Sequence, residues 1–164
     1  MSVPAVSESI ATADNRPLMI GACCVALATL VPVALYQLGV TSELPDPPLS
    51  VFNSERITMS KTAHPLGIPD SLLGLVSFGT TLTLAILAKR NRTAARLLGI
   101  KLGLDASAAA FNAVRQVVEF RKLCSWCTAT ALSAGAMTYA GRDSLRRVLG
   151  EGAVVAQKVV AKKD

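Results

Sequence analysis

Four long apolar runs constrain the fold of this chain more than any other feature. They cover about residues 17–40, 71–88, 93–120 and 123–140, which is most of the 164 residues. A helix needs about 20 residues to cross the hydrocarbon core of a bilayer. Only 17% of the residues are charged, whereas soluble domains carry about 25%. The pattern predicts an all-α polytopic membrane protein, a bundle of four transmembrane helices, with no room for a second domain.

The segments outside the runs divide the chain further. Residues 1–16 are polar and small, and we expect a disordered N-terminal tail. Residues 41–70 form the long outer loop, which begins with a proline-rich stretch that disfavours helix and holds a predicted short surface helix at about 53–60. The membrane domain is then residues 17–141. Residues 142–164 are basic and partly amphipathic, which predicts a cytoplasmic segment lying on the membrane surface.

The distribution of positive charge predicts the orientation. In a four-span bundle both termini and the basic turn at 89–92 share one side, and most Lys and Arg residues lie there. The positive-inside rule makes that side cytoplasmic, so the outer loop faces the periplasm or the cell exterior, as in a bacterial inner-membrane protein. This asymmetry also accounts for the net charge of +6. No nucleic-acid-binding motif accompanies the charge, so we expect no nucleic acid partner.

A Cys-x-x-Cys pair, Cys124 and Cys127, opens the fourth run on the outer side. Two cysteines one helical turn apart can close and reopen a disulfide, and the amides at a helix N-terminus favour a thiolate. Disulfide chemistry also belongs in an oxidising outer compartment. The pair therefore predicts a redox centre with both cysteines catalytic.

The two thiols differ in predicted depth. Because a helix rises 1.5 Å per residue, Cys127 should lie about 4.5 Å deeper than Cys124. We therefore expect Cys124 to be the more exposed thiol, which meets a protein dithiol. Cys127 should meet an electron carrier dissolved in the bilayer, such as a quinone.

The cysteines also allow two other interpretations, a zinc site and small packed residues. A zinc site would need two more ligands, and the remaining candidates are Cys23, Cys24 and His64. The topology places Cys23 and Cys24 towards the opposite end of the membrane, so we expect no metal there and treat them as small buried residues. His64 precedes a proline in the outer loop, and we expect it to serve in packing rather than as a catalytic base.

The third run is the least apolar and carries Lys101 and Asp105. Residues four apart lie on one helical face, so the two side chains can neutralise each other. Charged residues inside a span are candidates for function, but a neutralised pair facing the bundle interior is an equally physical explanation. Gly99 and Gly103 form a Gly-x-x-x-Gly motif, which favours close helix packing.

Two motifs and their topology resemble those of the vitamin K epoxide reductase family. One motif is the Cys-x-x-Cys pair at the outer start of the fourth run. The other, at the entry to the second run, consists of Ser60, Gly67-Ile68-Pro69 and Leu73-Gly74. The resemblance covers about residues 17–141 and includes the long outer loop between the first two spans.

The resemblance implies a fold of four membrane helices and an enzyme that passes electrons between thiols and a quinone. It implies that Cys127 faces the quinone, of the ubiquinone or menaquinone type, and that Cys124 exchanges with protein thiols. The partner would be a thioredoxin-like or other dithiol protein on the outer side. Ser60, Gly67 and Thr83 would be the residues at the quinone pocket.

The sequence departs from the family pattern in two respects. Family members usually carry a second cysteine pair in the outer loop, which relays electrons, but residues 41–70 contain no cysteine and the position six before Ser60 is Ser54. Vertebrate members also have a tyrosine where Ala131 stands and an asparagine where Thr83 stands. These changes argue against vitamin K epoxide as the substrate but allow a plain quinone.

Three functions are consistent with these observations. The leading hypothesis is a quinone-dependent thiol–disulfide oxidoreductase of the membrane. The alternative is a non-catalytic subunit that keeps the fold in a binding or assembly role, which the missing loop cysteines favour. The third is an electron carrier across the membrane that uses Cys23 and Cys24 as an inner thiol station.

Overall fold

The computed structural model describes residues 15–146 and 148–150. The predicted disordered tail and the end of the basic C-terminal segment, at 1–14 and 151–164, lie outside the described residues. The main elements are five α-helices, named α1 to α5 in chain order: Arg16–Gln37, Ser54–Thr58, Asp70–Leu87, Arg92–Arg115 and Ser125–Ala140. No β-strand occurs in the described part of the chain, so the predicted all-α class is confirmed.

The four long helices match the four apolar runs to within one turn. Helix α1 contains Pro32, and α4 continues into a π-helical turn at Gln116–Phe120. Three helical segments, α1, α3 and α4 with its π turn, are long and apolar enough to cross a membrane. Helix α5 has 16 residues, so the count of four spans remains a prediction. The short helix α2 lies in the outer loop, inside its predicted range.

The long helices pack as a four-membered bundle. Helices α1 and α4 each pack against both α3 and α5. Side chains from all four long helices form the core: Met19, Cys23, Ala26, Leu30, Phe78, Ala85, Leu98, Leu102, Ala134 and Met137. Large apolar side chains also point outward, and Val76 and Leu132 are 72% and 71% exposed. An apolar exterior around an apolar core is the arrangement that a lipid environment stabilises.

Glycines allow the end of the described chain to pack tightly on α4. A Cβ atom at Gly99 would lie 2.6 Å from the carbonyl oxygen of Ser144, and one at Gly103 would lie 3.5 Å from Leu145 Cδ1. The helical residues 142–146 and 148–150 therefore contact α4 directly. The predicted close packing at the Gly-x-x-x-Gly motif is confirmed. The expectation that residues 142–164 lie on the membrane surface remains a prediction, and most of that segment lies outside the described residues.

The charged pair of α4 lies inside the bundle. The Lys101 ammonium pairs with the Asp105 carboxylate and donates to Ser77 Oγ at 2.7 Å. Asp105 also accepts hydrogen bonds from Ser77 at 2.8 Å and from Thr81 at 2.6 Å. Both carboxylate oxygens of Asp105 are thus engaged. The predicted neutralisation of this pair is confirmed, and the hydrogen bonds offset the cost of burying it.

The two cysteines of α1 have different environments. Cys23 is fully buried, and its thiol donates to the carbonyl oxygen of Phe78 at 3.2 Å. Cys24 is exposed on the outer surface of α1. The expectation of a buried residue is confirmed for Cys23 and wrong for Cys24, because consecutive residues of a helix point about 100° apart.

Candidate redox site

Cys124 and Cys127 lie together at the N-terminus of α5. Cys124 is the N-cap residue, with an extended backbone, and its sulfur accepts a hydrogen bond from the Cys127 N–H at 3.1 Å. The sulfur thereby takes the place of the Ser, Thr or Asp oxygen that usually caps a helix. The pair is therefore held within one helical turn, where the positive end of the helix dipole stabilises a thiolate.

The exposure of the two thiols is the reverse of the predicted order. Cys124 is fully buried, whereas Cys127 is partly exposed. The prediction considered only depth along the helix, and it is wrong because the outer loop folds over the N-terminus of α5. Cys124, the residue nearer the outer side, is thus the more fully covered of the two.

Three side chains hold the outer loop on α5, and we call Asp46, Ser54 and Ser125 the loop clasp. The Asp46 carboxylate accepts hydrogen bonds from Ser54 Oγ at 2.5 Å, from the Ser54 N–H at 2.6 Å and from Ser125 Oγ at 2.5 Å. Ser54 Oγ in turn accepts the Ser125 N–H at 3.0 Å. Although burial acts against it, hydrogen bonds from Ser125 and Ser54 lower the pKa of Asp46. The clasp therefore keeps its negative charge throughout the neutral range.

Backbone contacts extend the attachment on both sides of the clasp. The Asn53 N–H donates to the Leu123 carbonyl oxygen at 2.9 Å, and the Leu123 N–H donates to the Val51 carbonyl oxygen at 2.9 Å. The indole N–H of Trp126, between the two cysteines, donates to the Pro45 carbonyl oxygen at 3.0 Å. The loop is thus bonded to a residue before the two cysteines and to both residues between them.

Ser54 occupies the position where the resemblance leads one to expect a relay cysteine. The residue is fully buried, and its hydroxyl accepts the N–H of Ser125, the residue that follows Cys124, at 3.0 Å. A hydroxyl can donate a hydrogen bond to a thiolate, but it cannot form a disulfide. Ser54 therefore lies close to Cys124, where a relay cysteine is expected, but it cannot carry out the redox chemistry of a cysteine.

A cavity of about 430 Å³ lies between the long helices and has Cys127 on its wall. Pockets for small molecules and cofactors commonly measure about 300–1,000 Å³ and are mostly apolar. This cavity is lined by apolar residues that include Leu30, Val33, Phe78 and Phe111, and by polar residues that include Asp70, Ser77, Asp105, Asn112, Arg115 and Gln116. Cys124 is not among the lining residues, so the two thiols face different surroundings.

The three residues predicted at the quinone pocket lie elsewhere. The Ser60 hydroxyl donates to the Ile57 carbonyl oxygen at 2.6 Å, and the Thr83 hydroxyl donates to the Gly79 carbonyl oxygen at 2.9 Å. Gly67 is exposed and has a φ of +80°, which suits a glycine in a turn. None of the three lines this cavity, and their quinone contact remains a prediction. The same loop instead contributes Thr62 and Pro65 to the wall.

Gln116, which begins the π turn directly after α4, was not predicted as a site residue. Its side-chain oxygen accepts the Cys124 N–H at 2.9 Å, and the residue is only 2% exposed. The available signal was an uncharged amide eight residues before Cys124, together with the frequent occurrence of π turns at functional sites. Asp46 was also missed, since a carboxylate in a proline-rich loop reads as a solvated residue.

Comparison with known proteins gives one match. A family model described as "Vitamin K epoxide reductase family" matches residues 17–140. The match includes all four long helices, the outer loop and the Cys-x-x-Cys pair. No curated protein sequence matches the chain.

Proposed function

The chain belongs to the vitamin K epoxide reductase family, and from this premise we propose that it is a membrane thiol–disulfide oxidoreductase that exchanges electrons between protein dithiols and a quinone. Family membership and the three long apolar helices make it an integral membrane protein. The observation that carries the proposal is the separation of the two thiols. Cys127 lies on the wall of a cavity between the helices, while Cys124 lies under the outer loop.

The thiol pair transfers two electrons from the partner dithiol to the quinone in three steps. A thiolate of the partner attacks the Cys124 sulfur of the Cys124–Cys127 disulfide, and Cys127 leaves as the thiolate. The second thiol of the partner then attacks the mixed disulfide and releases Cys124. The reduced pair gives two electrons and two protons to the quinone, which becomes the quinol while the Cys124–Cys127 disulfide closes again. Every step also runs in reverse, so the supply of quinone and dithiol sets the direction.

The cavity supports a plain quinone as the lipid-soluble substrate. Its mainly apolar wall suits the ring and the first part of the tail of a ubiquinone or menaquinone, and Cys127 is the sulfur that reaches it. Ala131 lies on the same wall, so no hydroxyl stands at the position where vertebrate family members have a tyrosine. This pocket fits a quinone better than it fits an epoxide that needs a proton donor at that position.

The outer loop supports a dithiol protein as the second substrate. Cys124 lies at the end of α5 that carries the loop, on the side opposite the basic turn between α3 and α4. We place this end in the periplasm or cell exterior, with a thioredoxin-like or similar dithiol protein as the partner. Because the loop clasp covers Cys124, the clasp has to open before a partner sulfur can reach it.

The buried position of Cys124 also favours the second candidate function, a non-catalytic subunit in a binding or assembly role. Ser54 in place of a relay thiol points the same way. The carrier hypothesis gains no support, since Cys23 and Cys24 face the core and the exterior of the bundle. Turnover therefore decides between the first two functions.

The proposed function is tested with the purified full chain in lipid nanodiscs. A dithiol peptide and a short-chain ubiquinone or menaquinone are supplied, and thiol loss and quinone absorbance are followed together. We expect one quinone consumed per disulfide formed, no turnover in Cys124→Ser or Cys127→Ser, and the wild-type rate in the control Cys24→Ser. A folded wild-type protein that consumes neither substrate would support the non-catalytic subunit instead.

A further inference from the structure

A single side chain, Gln116, lies between the Cys124 backbone and the cavity whose wall carries Cys127. Its amide oxygen accepts the backbone N–H of Cys124 at 2.9 Å. Gln116 and Cys127 also line the same cavity. This amide is therefore the connection between the sulfur under the loop and the sulfur on the cavity wall.

The local backbone explains how Gln116 reaches this position. The last turn of α4 is followed by the π turn Gln116–Phe120, and Arg121 then adopts a left-handed conformation with φ of +50°. The wider turn rotates the following residues relative to a regular helix, and the chain reverses at once towards Leu123. As a result Gln116, at the end of α4, faces the start of α5, and the residue is buried.

We propose that Gln116 is a positioning residue for the thiol pair, which holds the Cys124 backbone with its amide oxygen and directs its amide N–H group at the Cys127 sulfur. This inference rests on the proposed function. When a partner attacks Cys124, the leaving Cys127 thiolate appears on a mainly apolar wall. A buried anion without a donor is strongly disfavoured. The Gln116 amide supplies that donor, so Cys127 becomes the better leaving group and the better nucleophile towards the cavity.

Two substitutions separate the two halves of the amide. Gln116→Met fills similar space and removes both the oxygen and the N–H donor. Gln116→Glu keeps an oxygen for the Cys124 N–H, removes the donor towards Cys127 and adds an ionisable carboxyl group beside that sulfur. The matched control is Gln37→Met, because Gln37 is also a buried glutamine, but it bonds Thr58, Asp70 and Ser71 and neither cysteine.

The measurement is the rate at which iodoacetamide alkylates each cysteine of the reduced full-length protein, resolved by mass spectrometry. A hydrogen bond to a thiolate stabilises that anion by enough free energy to change its population about tenfold. We therefore expect both Gln116 variants to slow Cys127 alkylation by about tenfold or more. Gln37→Met should leave the Cys127 rate unchanged. In Gln116→Glu, Cys124 should stay as protected as in the wild type, since the oxygen acceptor remains.

Unchanged Cys127 alkylation in both Gln116 variants would overturn the proposal, as would an equal loss in Gln37→Met. The assay needs no quinone turnover, so its result is independent of the proposed function. In the turnover assay Gln116→Glu should lower kcat and leave the KM for the dithiol near its wild-type value. If the wild-type protein showed no turnover while Cys127 alkylation still slowed in both variants, the oxidoreductase function would fail and the positioning role would stand.

Discussion

Asp46 is the residue that holds the outer loop over Cys124. Its carboxylate receives three hydrogen bonds, two from Ser54 and one from Ser125, and these close the loop over the thiol. Hydrogen bonds to a charged group contribute more than neutral ones, about 1.5–3 kcal/mol each. The closed state of the loop therefore depends on the charge of this one side chain.

Replacing Asp46 with asparagine should open the loop more often. The amide carries no charge and accepts weaker bonds, so a water-soluble maleimide should label Cys124 at least several-fold faster than in the wild type. The control is Glu43→Gln, an exposed carboxylate in the same loop, which should leave the rate unchanged. Equal labelling in the Asp46 variant and the wild type would show that the backbone contacts alone keep the loop closed.

The same carboxylate gives the closed loop a defined pH dependence. Hydrogen bonds from Ser125 and Ser54 lower the Asp46 pKa in the folded protein despite the opposing effect of burial, so the clasp contributes above the ordinary carboxyl pKa and is lost as the pH falls through the lowered one. We expect the opening equilibrium of the loop, measured by amide hydrogen exchange at Ser54 after correction for the intrinsic rate, to stay constant from about pH 8 to 5. Opening that already rises between pH 7 and 6 would contradict the assignment.

Ser54 provides a direct test of the loop geometry around Cys124. Because the Ser54 hydroxyl accepts the N–H of Ser125, the residue next to Cys124, a thiol at position 54 should lie within reach of the Cys124 sulfur. We expect Ser54→Cys to form a disulfide with Cys124 under mild oxidation, detected as a crosslinked peptide by mass spectrometry. Thr58→Cys, a buried residue one turn away on α2, is the control and should give no such peptide. Absence of the Ser54 crosslink would mean that the outer loop does not lie over Cys124 in the membrane-embedded protein.

The two cysteines of the pair should trap different species. When Cys124 attacks a disulfide of the partner, Cys127 normally resolves the mixed disulfide, so Cys127→Ser should retain the partner on Cys124. Cys124→Ser should retain none, because Cys127 faces the cavity rather than the loop. Capture is read by mass spectrometry with a thioredoxin-like substrate, and combination with Asp46→Asn should raise the yield. Capture by Cys124→Ser alone would reverse the assigned roles of the two thiols.

The elements themselves were largely predictable from the sequence, whereas the contacts between distant elements were not. Hydropathy located all four long helices, because burial in lipid demands long apolar runs. The loop clasp joins Ser54 to Ser125, 71 residues apart, and no local pattern encodes that pairing. The π turn at Gln116 escaped detection for a related reason. It depends on how α4 packs against α5 rather than on the propensity of its residues.

The packing of residues 142–146 and 148–150 on α4 leads to a prediction about Gly99. An added Cβ would lie 2.6 Å from the Ser144 carbonyl oxygen, a separation that forces the backbones apart. Gly99→Ala should therefore destabilise the folded protein by about 1–3 kcal/mol, measured as a lower Tm in detergent. The control Gly79→Ala meets nothing within 4 Å and should leave the Tm unchanged or slightly higher. Equal Tm values for the two variants would show that this helical contact is absent in the detergent-solubilised protein.

The topology of the whole molecule depends on whether α5 crosses the membrane. With 16 residues it is shorter than a typical span, but it packs along α1 and α4, which are both long enough to cross. If α5 crosses, the C-terminus lies on the same side as the turn at residues 88–91, which the charge asymmetry predicts to be cytoplasmic. If it does not, the C-terminus lies outside and the chain has three spans. The charge asymmetry favours the first arrangement, because the residues after α5 are rich in Lys and Arg.

Single cysteines in a full-length protein without its four native cysteines distinguish the two arrangements. A membrane-impermeant maleimide added to intact cells should label Glu43→Cys in the outer loop and should not label Lys89→Cys or Lys163→Cys. All three should react after the membrane is permeabilised, which controls for their chemical accessibility. Labelling at Lys163→Cys with protection at Lys89→Cys would reduce the count to three spans, while labelling at both Lys89→Cys and Lys163→Cys would invert the protein. The inverted topology would also move the thiol pair, since a pair facing the cytoplasm would meet a reducing pool and lose the oxidising environment that its proposed chemistry requires.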